Sequence, residues 1–487
     1  MTQASGTSLV RSISPIAAVA LVMGSMIGSG IFIVSADMAR QVGAPGILIT
    51  VWVLTGVVTV MGALTQTELA AAYPRAGGQY VFLREGLSPL WGFLYGWTLL
   101  LVIQTGTIAA VAVAFAKFFG VLVPAVSPDV FVSLGHVPAP GDWLFTVLGH
   151  PPATPSYIDI GVSWQRVVGI VTVVILTVIN ARGVREAAWI QIVLTVTKVA
   201  ALVGLVVLGL TVGRQAAALE ANFHHFWGSG ITLAIIPVMG AAMVGSLFSS
   251  DAWNNVAFAA TEVENPQRNL PLAMVLGTGL VSLIYVAANF AYLNTLTFAQ
   301  IAHAPQDRVG TAALQVIFGA PGLAIMAVAI MISTFGCNNG LILAGARVSY
   351  AMARDGLFFR KVGAVDPVHH TPRTALWVQC AWTAVLCLSG TYGDLLNYVI
   401  FAAVLFYFLT VLSLFRLRRV RPDLARPVRV PGYPWMPALY GLAMAAVMVD
   451  LLIESPLYTW PGLIIVALGV PIYFLWKRVG GGVPHAA

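Results

Sequence analysis

The stretch "GSMIGSGIF", residues 24–32, decides the fold of this chain. It places three glycines and two serines in the middle of an apolar run that extends from about 13 to 37. The run is long enough for a membrane helix. Yet small residues at its centre favour an interruption where hydrocarbon cannot satisfy a freed N–H or C=O. Taken alone, Gly24 and Gly28 read as a G-x-x-x-G that lets two helices approach closely. A second stretch, "GSLFSSDAWNN" at 245–255, shifts that balance. It too sets small and polar residues, and a carboxylate, inside an apolar run.

The chain has 487 residues, 59% hydrophobic and only 9% charged. Soluble domains carry about 25% charged residues, so this chain reads as one polytopic membrane domain. At about 20 residues per span, twelve spans are expected. They lie near 13–37, 46–73, 88–119, 163–180, 188–212, 232–261, 271–294, 321–350, 374–393, 394–416, 434–454 and 457–477. Starting inside, nineteen of the 25 Lys and Arg residues fall on the inner side and five on the outer, leaving Lys198 within a span. That is a positive-inside bias. It puts both termini in the cytoplasm, in a multi-pass protein of the plasma membrane. The net charge of +7 therefore reflects topology, and no nucleic-acid partner is expected. The basic inner stretch "RLRRVRPDLARPVRVPGYP" is a candidate contact for anionic lipids.

The proline-rich connection at about 120–162 is expected as an irregular extracellular loop. "EVENPQRNLP" reads as a helix stop and restart around Pro266 and Pro271. The tenth span follows the ninth through a tight join near Ser389-Gly390-Thr391. His136, His150, His224, His225, His303, His369, His370 and His485 fall in loops or tails. Their pairs are adjacent rather than four apart, so no metal is assigned. Cys337, Cys380 and Cys387 all lie in apolar segments and suggest no disulfide framework. No phosphate-binding G-x-x-x-x-G-K-[ST] is present. No cofactor and no enzymatic activity are expected.

If spans 1–5 and 6–10 are two halves, both interruptions occupy the first span of a half. Five is odd, so the second half enters from the opposite side, giving an inverted repeat. Paired broken helices in such repeats point to a midplane substrate site. Exposed N–H groups and the positive half-helix end favour an anionic group, and exposed carbonyls favour a cation. A zwitterion satisfies both.

The motifs "GSMIGSGIF", "FSSDAWNNVAFAATEVENPQRNLP", "TKVAAL", "ARVSYAMARDGLFF" and "RPVRVPGYPWMPAL" resemble the amino acid/polyamine/organocation superfamily, and within it the L-type amino acid transporters. The resemblance runs from about 10 to 478. It implies an all-α polytopic membrane protein of the LeuT type, with about 12 spans, a 5+5 inverted repeat and helices 1 and 6 broken around the substrate. It places the substrate carboxylate on N–H groups at Ser29 and Gly30, with Gly28 beside them. It places the ammonium on carbonyls near Ser25, Met26, Phe248 and Asp251. Phe248 matches the aromatic lid of the site, and Trp253 and Asn254 match side-chain pocket positions. Phe248 as a lipid-facing ring and Trp253 as ordinary packing are the plainer alternatives. Gln104, Thr105 and Thr107 are polar candidates on the third span.

Two charges lie deep. Asp251, at a depth where a carboxylate costs about 3 kcal/mol, has three open roles: ammonium ligand, proton acceptor, or cap of the following half-helix. Lys198 lies about 16 Å into its span at 1.5 Å per residue, too deep to snorkel. By the resemblance, a lysine there occupies the place of sodium in sodium-coupled relatives, bridging helix 1 carbonyls and helix 8, where Ser333 and Thr334 are neighbours. The lysine's role stays open between a proton relay and a fixed structural cation, and either way a tethered charge argues against sodium coupling. Glu68, at the inner end of the second span, reads either as an inner-gate partner for an arginine, with Arg347 a candidate, or as a simple interfacial glutamate.

The expected organisation is a cytoplasmic tail (1–12), a core (13–417) of repeats at about 13–212 and 232–417, a basic cytoplasmic loop (418–433), two additional spans (434–478) and a second tail (479–487). The expected function is alternating-access transport of amino acids, by exchange or with protons. An organic-amine carrier using Asp251 and a non-transporting amino acid sensor are the rivals. L-type eukaryotic relatives join a glycoprotein through an extracellular cysteine. None exists here, so no disulfide-linked heavy chain is expected.

Overall fold

The computed structural model describes residues 9–138, 140–147, 157–228, 230, 235–389, 392–454 and 456–479. Ser14 caps the first helix by accepting from Ala17 N–H, and Pro15 supplies its fixed φ at the first helical position. α1 (Pro15–Met26) stops before residues 27–29, and α2 (Gly30–Val42) completes the span. Gly43, left-handed at φ 67°, ends α2. α3 (Pro45–Ala72) then returns, followed by the short α4 (Gln79–Gly86). α5 (Pro89–Thr98) and α6 (Gln104–Leu122) form one span joined by a π-helical turn at Leu99–Ile103.

The connection after α6 departs from the irregular loop expected from its prolines. β1 (Val132–Pro138) pairs antiparallel with β2 (Tyr157–Val162), with the short α7 (Pro140–Val147) between them. "YIDIGV" alternates apolar and polar residues, the mark of a half-exposed strand. His150 and all of "HPPATP" (150–155) lie outside the described residues.

α8 (Trp164–Arg182) and α9 (Val184–Leu210) follow, then the short α10 (Ala216–Phe223). α11 (Ile235–Ser249) ends at the second interruption. α12 (Asn255–Phe258) and a 3-10 turn at Ala260–Glu262 carry the chain onward. α13 (Pro266–Thr295) starts at Pro266, but Pro271 lies inside it rather than at a restart. Two short helices, α14 (Phe298–Ala302) and α15 (Val309–Phe318), precede the long α16 (Ala320–Arg354). α17 (Arg373–Ser389), α18 (Tyr392–Val420), α19 (Trp435–Glu454) and α20 (Pro456–Val479) complete the chain.

Among the described residues, ten helical segments are long and apolar enough to cross a membrane, α1 and α2 counting as one. The other two expected spans are shorter. α11 stops at its break, and α17 has 17 residues. Gly390 and Thr391, in the join after α17, lie outside the described residues. The broken first span is the most enclosed, whereas α9 and α19 carry apolar side chains such as Val196, Val207, Leu442 and Ile453 on the outside. α1 packs against α9, α13 and α16, and α2 against α11. One end of the bundle carries the β hairpin; the opposite, basic end carries the N-terminal segment and the loop after α18.

Candidate functional site

The two interruptions meet. Gly30 opens α2 so close to α11 that an added Cβ would lie 2.2 Å from Ser249 Oγ and 3.0 Å from Ser249 Cα. Tyr285 on α13 spans both breaks, its hydroxyl lying 3.0 Å from Met26 O and 3.1 Å from Ser249 O. The first-turn N–H groups of α2 lack the usual acceptor four residues back, Phe32 N–H turning instead to Ser29 O at 3.0 Å, and the break supplies carbonyls beside them. Residue 252 in the second break is left-handed, φ 68°, although it is an alanine. Such strain persists only where its surroundings impose it.

Lys198, fully buried on α9, points into the first break. Its Nζ donates to Gly24 O at 2.5 Å, Ile27 O at 2.8 Å and, on α16, Ser333 O at 3.3 Å. Ser333 Oγ reaches Ile27 O and Gly28 O, both at 3.1 Å. Cys337 Sγ donates to Ser25 O at 3.0 Å. One ammonium, two hydroxyls (Ser333 and Tyr285) and one thiol thus reach the carbonyls that the unwound turn frees, each carbonyl oxygen having two lone pairs. Thr334 takes no part, because its hydroxyl bonds back to Ile330 O and Met331 O of its own helix. Gly24 serves the packing role: a Cβ there would meet Gln191 Nε2 at 1.9 Å and Thr195 Oγ1 at 2.4 Å. Ser25, Ser29 and Phe248 are buried in the same region.

Around the second break, Asp251 does not cap the half-helix that follows. The cap position of α12 is Asn254, and the Asp251 carboxylate instead accepts from Tyr407 OH on α18. It lines a cavity of about 20 Å³ with Thr59, Trp253, Tyr407, Tyr440 and Met444. Trp253 stacks on Tyr407 with ring centres 5.4 Å apart, so packing accounts for one face of its ring. Asn254 Nδ2 donates to Gln79 Oε1 at 2.8 Å, and Gln79 Nε2 donates to Phe406 O and Thr410 Oγ1. That network ties the second break to α4 and α18. On the third span, Gln104 donates to Leu341 O, while the Thr105 and Thr107 hydroxyls bond within their own span.

The ion pair expected between Glu68 and Arg347 is not the one formed. Arg347, on α16, holds Glu262 through two bonds at 2.9 and 3.0 Å, both side chains fully buried. Glu68 accepts from Arg418 and Arg426 at 2.5 and 3.1 Å and from Val430 N–H at 3.0 Å. The reason is adjacency: α16 packs on α12, whereas the end of α3 faces α18 and the loop after it. Sequence reasoning missed Tyr285, Tyr407, Gln79 and Glu262. Glu262, three residues before the Asn265-Pro266 turn, and Gln79, just after two glycines, carried no signal of depth. The tyrosines were indistinguishable from interfacial aromatics.

The chain matches the family described as amino acid permease over residues 13–474. It is 31% identical to the Asc-type amino acid transporter 1 of Mus musculus over 475 residues, covering 96% of this chain and 81% of that protein. It is 30% identical to the serine/threonine exchanger SteT of Bacillus subtilis, covering 96% and 98%. It is also 30% identical to the large neutral amino acids transporter small subunit 2 of Mus musculus, covering 96% and 82%.

Proposed function

Since this chain belongs to the amino acid permease family, within the amino acid/polyamine/organocation superfamily, we infer that it is an amino acid transporter working by alternating access as a sodium-independent exchanger. The observation that carries this is the meeting of two broken helices across Tyr285. The α2 end, with Gly28, Ser29 and Gly30, would take the substrate carboxylate. Carbonyls near Ser25, Met26 and Phe248 would take the ammonium. Both partners are backbone groups, so one scaffold serves any α-amino acid, and the side-chain pocket sets selectivity. Rocking of one half against the other, repeats at about 13–212 and 232–417, would expose the site to each side in turn.

Sodium independence is supported by Lys198, whose tethered ammonium fills the carbonyl cluster of the first break. Exchange is supported by similarity to a protein named an exchanger. The positive-inside bias supports placing the basic end and both termini in the cytoplasm. The loop at 418–433 is proposed to meet anionic lipids through its outward arginines, since Arg418 and Arg426 are engaged by Glu68. The three cysteines are buried, which favours the absence of a disulfide-linked partner.

One observation favours a second reading, an organic-amine carrier. A carboxylate, Asp251, beside Trp253, Tyr407 and Tyr440 is the chemistry that holds an ammonium. Counterflow in proteoliposomes preloaded with single amino acids decides between the readings. Accelerated uptake of serine, alanine or leucine, unchanged by removing sodium or collapsing a pH gradient, is expected. Asp251→Asn should spare it. Uptake of putrescine instead, lost in Asp251→Asn, would replace the amino acid reading with the amine one. No counterflow for any solute would leave only a sensor.

A further inference from the structure

We propose that Arg40 and Lys117 form a latch at the hairpin end of the bundle, closing the loop at 302–308 over the first break. Arg40 ends α2. Its guanidinium donates to Asp307 Oδ1 at 2.7 Å and to Ala302 O at 2.8 Å. Lys117, near the end of α6, donates to Gln306 O at 2.8 Å. Arg308 answers by donating to Lys117 O at 3.1 Å, its guanidinium 5.4 Å from the Phe118 ring centre. Two helices that do not share a hairpin are thus clasped to one short loop.

The loop is held under strain. Gln306 and Asp307 are consecutive left-handed residues, φ 54° and 60°, and neither is glycine. Side chains at such angles crowd the backbone, and the conformation persists only where neighbours impose it. Here the neighbours include the same two cations: beside the turn's own bonds from Asp307 N–H to Ala304 O and from Arg308 N–H to Pro305 O, Lys117 holds the carbonyl of residue 306 and Arg40 the carboxylate of residue 307. Release of either lets the turn relax. What the loop covers follows from the helix it starts. α15 seats its first turn on α2, where a Cβ at Gly310 would lie 2.9 Å from Phe32 Cδ1. Phe32 is two residues beyond the first residue of α2, so lifting α15 opens the approach to the break.

The pair is only partly shielded, Arg40 and Asp307 being 37% and 40% exposed. A latch of this strength closes a gate without locking it, as a transport cycle requires. The latch deepens the transport reading and rests on it for its purpose.

The test uses the full-length protein with Thr311→Cys as reporter. Thr311 is buried in the first turn of α15, its hydroxyl without a hydrogen-bond partner, and the three native cysteines are buried. A membrane-impermeant maleimide is applied from the hairpin side of proteoliposomes. Arg40→Gln and Asp307→Asn are each expected to speed labelling roughly 3- to 10-fold, the scale of one exposed charge pair and one charge-assisted bond. Gln306→Gly keeps the carbonyl that Lys117 needs but removes the strain, so it should slow labelling. Opposite signs from one loop cannot arise from general loosening. Unchanged labelling in Arg40→Gln and Asp307→Asn, or faster labelling in Gln306→Gly, overturns the latch. Labelling needs no substrate, so an absence of transport would defeat the transport reading while leaving this measurement to decide the latch.

Discussion

Position 30 accepts only hydrogen as a side chain, and the reason is a neighbour that cannot move. A Cβ at Gly30 meets not just Ser249 Oγ, which could rotate away, but Ser249 Cα at 3.0 Å. Gly30→Ala must therefore push α11 off α2 and lengthen both Tyr285 bonds. Overpacking of this kind costs about 1–3 kcal/mol. The expected outcome is a lower apparent melting temperature in detergent and loss of counterflow together. Gly204, a helical glycine with nothing within 4 Å of an added Cβ, provides the matched control. Gly204→Ala should keep transport and gain stability, by about 0.5–1 kcal/mol from helix propensity. If Gly30→Ala behaves like Gly204→Ala, the two breaks are not in contact.

Among the helices, what could be read from sequence and what could not divide along a physical line. Spans are set by the thickness of hydrocarbon, so composition located the ten that are long enough to cross among the described residues, while the other two expected spans, α11 and α17, are shorter. The breaks were legible for the same reason, because small and polar residues in mid-span have few other uses. Lys198 was legible from its depth along α9. Partner choice was not, because it depends on which helices are neighbours, and a single sequence holds no such distances. Glu68 and Glu262 both lie near the basic end, and arginines abound there. Only the packing of α16 on α12 assigns Arg347 to Glu262. Asp251 failed as a cap for a related reason: a carboxylate beside a tyrosine hydroxyl on another helix need not turn back to its own. The buried pair makes its own prediction at this scale. Arg347→Met leaves Glu262 charged and alone, at a cost of about 3–5 kcal/mol. Arg347→Met with Glu262→Met removes both desolvation penalties and should recover most of that stability. Thermal unfolding of the two variants checks it. A double variant no better than the single would mean that Arg347 acts through something other than its partner.

In the molecule as a whole, side-chain and backbone bonds clasp the helices at both ends of the bundle. At the hairpin end Arg40 and Lys117 hold the loop before α15. At the basic end the N-terminal segment is stitched to the chain beyond the second break. Ser12 and Ile13 N–H donate to Glu262 O at 2.9 and 2.8 Å, and Glu264 N–H donates to Ile13 O at 3.0 Å. Glu262 is also the carboxylate that holds Arg347, so one residue links the segment, the second break and α16. If a single rocking motion opens either end but never both, the two closures are coupled through one equilibrium. Weakening one must then tighten the other. A chain lacking residues 1–13 retains α1 and its Ser14 cap, and it should favour opening at the basic end. With Thr311→Cys as reporter, that truncation is expected to slow labelling from the hairpin side. Arg40→Gln speeds it, and the combined variant should fall between the two. Two independent gates would give a different pattern, with truncation leaving hairpin-side labelling untouched. That outcome would separate a channel-like pair of doors from the rocking mechanism that exchange requires.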